Sequence, residues 1–236
     1  MWVQDFDGPP GAGPDPELWT HEIGGGGWGD QQRQVYTDAV ANAALDGAGR
    51  LRITARREPD GTITSARLVT KGCFATLHGR VEARIKVSTS QGLWPAFWLL
   101  GADFFDKRTP WPNCGEIDVM EHVGREPNRV YSTLHAPAYN GAGGYGQPLD
   151  LSAPAGSAFH TFAVEWDSGH MTFSVDGTRF FTADKAQIES TRGPWVYDHP
   201  FFIILNNAVG GDWPGPPNAS TQFPQNLTID YVRVYR

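Results

Sequence analysis

Short runs in which apolar and polar residues alternate recur from one end of this chain to the other. They include Arg50-Leu-Arg-Ile-Thr54, Gly79-Arg-Val-Glu-Ala-Arg-Ile-Lys-Val87, Val130-Tyr-Ser-Thr-Leu-His135 and Thr161-Phe-Ala-Val-Glu-Trp166. Met171-Thr-Phe-Ser-Val175, Phe201 to Leu205 and Leu227-Thr-Ile-Asp-Tyr-Val-Arg-Val-Tyr235 follow. A period of two puts apolar side chains on one face of a strand and polar ones on the other. Clusters of Gly, Pro, Asn and Asp separate the runs, drawn from 28 glycines and 18 prolines, and Asp176-Gly177 is a two-residue hairpin signal. Helical periodicity is confined to one short turn over Ala183 to Ser190. The pattern predicts a single all-β domain over residues 1–236, a sandwich or barrel of short antiparallel strands.

Composition narrows the partners. The chain has 236 residues, 40% of them apolar, enough to bury a substantial core. Only 19% are charged, the net charge is -7, and four of the 19 bases are Lys, a poor basis for nucleic-acid binding. The longest apolar runs, Phe201 to Leu205 and Leu93 to Ala102, fall short of the ~20 residues that span a bilayer, so no membrane partner is expected. No charged n-region followed by an apolar h-region opens the chain. Cys73 and Cys114 are the only cysteines, which excludes a cysteine-built zinc cluster and leaves open one disulfide or two thiols. Gly24 to Gly29 lacks the Gly-Lys-Ser/Thr ending of a phosphate loop and reads as a flexible surface loop carrying one exposed tryptophan, Trp28.

The chemistry concentrates in Trp111-Pro-Asn-Cys-Gly-Glu-Ile-Asp-Val-Met-Glu-His122, where acids stand at 116, 118 and 121. On a helix these would lie at about 0°, 200° and 140°, on no common face. On a regular strand Glu116 and Asp118 point one way and Glu121 the other. A β-bulge at Val119 or Met120 adds one residue and returns Glu121 to their face, with Ile117 and Val119 turned to the core. Such a row of like charges raises at least one pKa. Solvated acids on an outward face are the simpler alternative, but these alternate with apolar residues in a Trp- and Pro-rich setting. Glycoside hydrolysis uses two carboxyls of this kind, and the nine tryptophans suit sugar rings, which stack on rigid apolar walls.

Gly115-Glu-Ile-Asp-Val-Met-Glu121 resembles the active-site signature of glycoside hydrolase family 16 in its bulged form. Gly92-Leu-Trp-Pro-Ala-Phe-Trp-Leu-Leu-Gly101, Ser132-Thr-Leu-His135, Phe159-His160 with Val164-Glu-Trp166, Leu205-Asn-Asn-Ala-Val-Gly-Gly-Asp-Trp-Pro214 and Ile229-Asp-Tyr-Val-Arg-Val-Tyr235 look like laminarinase-type members. The resemblance spans essentially the whole chain. It implies a jelly-roll sandwich of two curved antiparallel sheets with a concave substrate cleft, and endo-hydrolysis of β-1,3-glucan with retention of configuration. In that reading Glu116 is the nucleophile, Asp118 its support and Glu121 the general acid/base. Trp94, Trp98, Trp111, Trp213, His135, Asn42 and Arg80 are the expected substrate contacts; for Trp98, core packing is an equal alternative.

The resemblance further implies a structural Ca²⁺ on the convex side, held by Asp5, the Gly47 carbonyl and Asp230. Oxygen ligands suit a hard cation. A β-glucan partner, a monomer and an extracellular location, inferred from a polymer too large to enter a cell, complete the expectation. One departure stands out: Gln31-Gln32-Arg33-Gln34 occupies the place where laminarinase-like chains have Asn-Glu-Leu-Gln, so Gln32 replaces a Glu. The competing readings are a mixed-linkage β-1,3-1,4-glucanase and a non-catalytic β-glucan-binding lectin.

Overall fold

A computed structural model describes residues 1–106 and 109–236. In chain order the strands are β1 (Trp2–Gln4), β2 (Thr20–His21), β3 (Val35–Tyr36), β4 (Ala43–Leu45), β5 (Leu51–Arg57) and β6 (Ile63–Ser65). Next come β7 (Arg67–Val69), β8 (Gly79–Lys86), β9 (Leu93–Gly101), β10 (Glu116–Glu121), β11 (Arg129–His135) and β12 (Tyr145–Asp150). The last are β13 (His160–Trp166), β14 (His170–Val175), β15 (Thr178–Asp184), β16 (Phe201–Val209) and β17 (Gln225–Tyr235). Among the described residues, two short α-helices, α1 (Asp103–Asp106) and α2 (Lys185–Thr191), and a 3-10 turn at Gly141–Gly143 interrupt them.

These strands form the expected jelly-roll sandwich. One sheet has ten strands, running β15-β14-β13-β8-β17-β5-β6-β3 with β1 and β4 at its side. The other has seven, in the order β12-β11-β10-β9-β16-β7-β2. Pairing is antiparallel throughout except between β3 and β6. Every alternating run read from the sequence lies in a strand. Asp176 and Gly177, at φ 50° and 76°, close the β14–β15 hairpin, the conformation a two-residue primed turn needs. The short helix begins where Asp184 accepts the Gln187 amide at 2.7 Å, an N-cap.

The inner faces of both sheets share one core. Ile117, Val119 and Met120 of β10 meet Val81, Ala83 and Ile85 of β8 and Phe162 and Val164 of β13 in a single buried cluster. Burying each such side chain stabilises by roughly 1.5–3 kcal/mol, and that cost of exposure is what pins the register of β10. A second, smaller cluster joins Val69, Leu100, Cys114, Phe202 and Ile204, with Trp98 packed against it. Cys73 and Cys114 are both free thiols, and burial next to the Glu116 charge pushes the Cys114 thiol up to about 12.

Candidate active site

β10 carries the site because it is bulged. Against β11, Asp118 pairs with Thr133 and Glu121 with Tyr131, so Val119 and Met120 together oppose Ser132. Against β9, Asp118 pairs with Trp98, Met120 with Phe97 and Glu121 with Ala96. Paired residues share a face. Glu116, Asp118 and Glu121 therefore lie in one row, flanked by Trp98 and Ala96 on one side and by Tyr131, Thr133 and His135 on the other. Without the extra residue Glu121 would point into the core.

Each catalytic candidate has a specific neighbour. Trp111 Nε1 donates to Glu116 Oε2 at 2.9 Å, and Trp94 Nε1 donates to Glu121 Oε1 at 3.0 Å. His135 Nε2 lies 3.0 Å from Asp118 Oδ2 and 3.8 Å from Glu116 Oε1. His135 is pressed close to the chain: a β-carbon on Gly144 would lie 2.7 Å from its Cε1, so only glycine fits there. Trp213 sets an edge against Trp94 at 5.5 Å and against Tyr131 at 4.9 Å between ring centroids. The result is a row of carboxyls between indoles, with Trp111 itself 42% exposed beside Glu116.

Burial dominates the electrostatics. Glu116 is raised to about 8 by desolvation and by the Asp118 charge, against the lowering effects of His135, the Trp111 N–H and Arg67. Asp118 is likewise raised to about 8 by desolvation. Glu121 is raised well above the usual carboxyl range by desolvation, then by the Asp118 and Glu116 charges, with His135 and the Trp94 N–H opposing. Taking a carboxylate out of water penalises its charged form, and neighbouring carboxylates add to that. The group therefore retains protons at neutral pH that exposed carboxyls have lost.

This bulged row on a jelly roll agrees with what the chain is similar to. Residues 29–233 match the family described as glycosyl hydrolases family 16. This chain belongs to that family. A beta-glucanase of Rhodothermus marinus is 40% identical over 243 residues, covering 100% of this chain and 84% of the relative. A glucan endo-1,3-beta-glucosidase of Cryptopygus antarcticus is 34% identical over 98% of this chain and 91% of its own. The laminarinase catalytic domain of Thermotoga maritima is 41% identical at a TM-score of 0.93, over 100% of this chain and 97% of that one.

Within this family 16 site, the structure brings Trp94, Trp98, Trp111, Trp213 and His135 to the carboxylate face. Trp98 lies beside Asp118 in the ladder, packs on the second apolar cluster and donates its Nε1 proton to Asn206 Oδ1 at 2.7 Å. Arg80 is a correction. It sits on β8 of the other sheet, bound to Glu82 at 2.6 Å and to Glu165 at 2.5 Å, where its alternation with core-facing Val81 turns it outward. Asn42 is another: it is 2% exposed, and its amide is consumed by Thr37, Thr54 and Thr64. No polar atom of Asn42 is left for a sugar.

Arg67 was missed in the sequence and Trp28 misplaced. Arg67 stacks over Trp98 at 4.7 Å and over Trp28 at 5.0 Å while its Nε bonds Glu22 at 2.5 Å. Trp28 is correspondingly not the exposed residue of a free loop. Its Nε1 donates to Gly24 O and its ring meets Tyr36 edge-on at 5.1 Å. No local motif marks Arg67; only the pairing of β7 with β16 places it beside Trp98. Gln32 ends a hydrogen-bond relay: Asn206 Nδ2 donates to the Tyr36 hydroxyl at 3.1 Å, and that hydroxyl reaches Gln32 Oε1 at 3.4 Å. An amide oxygen accepts there without adding charge.

Both carboxylates of the expected calcium set are paired with arginines. Asp230 is held by Arg84 at 2.6 Å and approached by Arg50 at 3.8 Å, and Asp5 by Arg233 at 3.0 Å. Gly47 packs on Pro10, while a β-carbon on Gly49 would lie 3.7 Å from the Asp5 carbonyl. Among the described residues, Glu116, Asp118 and His135 do have ligand-like spacing, with donor atoms within 4.8 Å of one another.

Proposed function

We propose that this chain is an endo-acting, retaining β-1,3-glucanase, with Glu116 as nucleophile and Glu121 as general acid and base. The observation that carries the reading is the row of three carboxyls on one face of a bulged strand, each glutamate held by an indole N–H. The relative named a glucan endo-1,3-beta-glucosidase and the laminarinase structure support the linkage. Of the two glutamates, Glu116 has more groups favouring its ionised form, namely His135, the Trp111 N–H and Arg67.

In the first step a Glu116 carboxylate oxygen attacks the anomeric carbon. The bond from that carbon to the glycosidic oxygen breaks, and the Glu121 proton moves to the departing oxygen. Glu116 is then an ester and carries no charge. One cause of the raised Glu121 pKa disappears with it, so Glu121 becomes a base at the moment a base is needed. Water attacks the same carbon, its proton passes to Glu121, and the ester bond breaks to return the Glu116 carboxylate. Two inversions give net retention. Asp118, between the two, sets their proton occupancy.

Trp94, Trp98, Trp111 and Trp213 form stacking walls for the glucan, with His135 and Arg67 as polar partners. We take residues 1–236 as one catalytic domain acting as a monomer on a polymer outside the cell. Reducing-sugar release from laminarin or curdlan tests the assignment. Folded Glu116→Ala and Glu121→Ala variants should lose it, and retained turnover in either sinks the roles. Binding of laminarin by the wild type without shortened products would instead identify a lectin. Product sizes on a panel including mixed-linkage glucan fix the specificity.

A further inference from the structure

The bulge in β10 decides which way Glu121 points, yet nothing in a bulge's own ladder stops it sliding. One extra residue disrupts the local pairing, and a shift of one position would return Glu121 to the core face. Val119 is the residue paired with neither neighbouring strand. Its carbonyl accepts a hydrogen bond from Ser132 Oγ at 2.7 Å, a buried contact.

Ser132 is an unexpected residue for its place. It is 1% exposed and lies on the core face of β11, between Val130 and Leu134, which are 1% and 0% exposed. A hydroxyl buried among apolar side chains is costly unless bonded, and here its bond goes to the bulge. A second contact lies just past Glu121. His122 is fully buried, and its Nδ1 lies 2.8 Å from the Arg129 carbonyl. A carbonyl only accepts, so Nδ1 carries the proton, and burial lowers the ring's pKa, which keeps it neutral. Glu121 is thus bracketed by two side-chain-to-backbone bonds, one from Ser132 of β11 to β10 and one from His122, just past β10, to β11.

We propose that Ser132 is a positioning residue for Glu121: its hydroxyl, seconded by His122, locks the bulge that presents the Glu121 carboxyl beneath the Trp94 N–H. The inference rests on Glu121 as general acid and base. Ser132 touches no substrate in this scheme. It acts on rate through the placement of a proton donor, where a misplacement of about 1 Å costs up to about a hundredfold.

The test compares two substrates. Laminarin needs Glu121 to protonate its leaving group. A dinitrophenyl β-laminaribioside does not, and azide present in excess attacks the glycosyl-enzyme without a base. Ser132→Ala should lower kcat on laminarin about ten- to a hundredfold with KM little changed, while keeping wild-type turnover of the activated glycoside with azide. Ser132→Thr, which keeps the hydroxyl, should recover laminarin turnover. If the alanine variant fails to fold, Ser132→Cys, similar in size and a weak donor, carries the same comparison. Equal loss on both substrates, or full laminarin activity in a folded Ser132→Ala or Ser132→Cys chain, overturns the proposal. A wild-type chain inactive on laminarin, or a Glu121→Ala chain not rescued by the activated glycoside with azide, overturns the catalytic reading instead.

Discussion

Asp118 Oδ2 lies 3.0 Å from His135 Nε2 although the two residues are not directly opposed across the β10–β11 ladder. Glu116 is the residue paired with His135, and Asp118 is paired with Thr133. The contact is diagonal, which strand geometry allows for a long or aromatic side chain. It places one imidazole against two of the three carboxyls, Asp118 and Glu116, and its charge is among the causes that lower the pKa of Glu116 and Glu121.

Asp118 raises the pKa of Glu121 through its charge. Asp118→Asn therefore lowers it, and Glu121 loses its proton at a lower pH. The alkaline limb of the kcat/KM profile on laminarin should move toward acid, with kcat at the optimum falling by about tenfold or more. An unmoved alkaline limb would count against Asp118 as the tuning group.

Glu116 ordinarily titrates at 4.5 and is raised to about 8 in the folded chain. Between these values the folded protein holds a proton that the unfolded chain has released, so raising the pH lowers stability. The penalty is absent below the unfolded value and complete above about 8. Glu116→Gln should melt higher than wild type at about pH 8.5, by roughly 1–3 kcal/mol, or ~2–4 °C per kcal/mol. The gain should vanish near pH 4, and calorimetry at both pH values checks the sign.

Arg67 and Arg80 separate the two faces of the sandwich. Arg67→Ala removes the guanidinium stacked between Trp28 and Trp98 and the positive charge that favours ionised Glu116. It should reduce kcat/KM on laminarin by about tenfold. Arg80→Ala, on the other sheet, should leave kcat/KM within about twofold but cost roughly 1–3 kcal/mol of stability, since it strips the guanidinium from Glu82, which is only 7% exposed. Steady-state kinetics on both variants decide the matter.

Asp230 and Asp5 are neutralised by arginines, not left open to a cation. Exhaustive treatment with EDTA should leave the melting temperature unchanged. A large drop, reversed by Ca²⁺ and not by Mg²⁺, would show that Arg84 and Arg50 yield their carboxylate to the metal.

The alternation of apolar and polar residues was enough to determine an all-β chain, because a period of two has only one regular home. The spacing of Glu116, Asp118 and Glu121 likewise demanded a bulge, since no unbroken strand or helix shows all three on one face. Tertiary structure decided the rest. Arg67 joins the site and Arg80 leaves it because strand pairing, which no local pattern encodes, sets which sheet each belongs to. Asn42 looks like a sugar contact until its three threonine partners, up to 22 positions away, consume its amide. The bulge itself was legible, but its lock was not: Ser132 reads as one more small residue in a strand until the fold lays it against Val119.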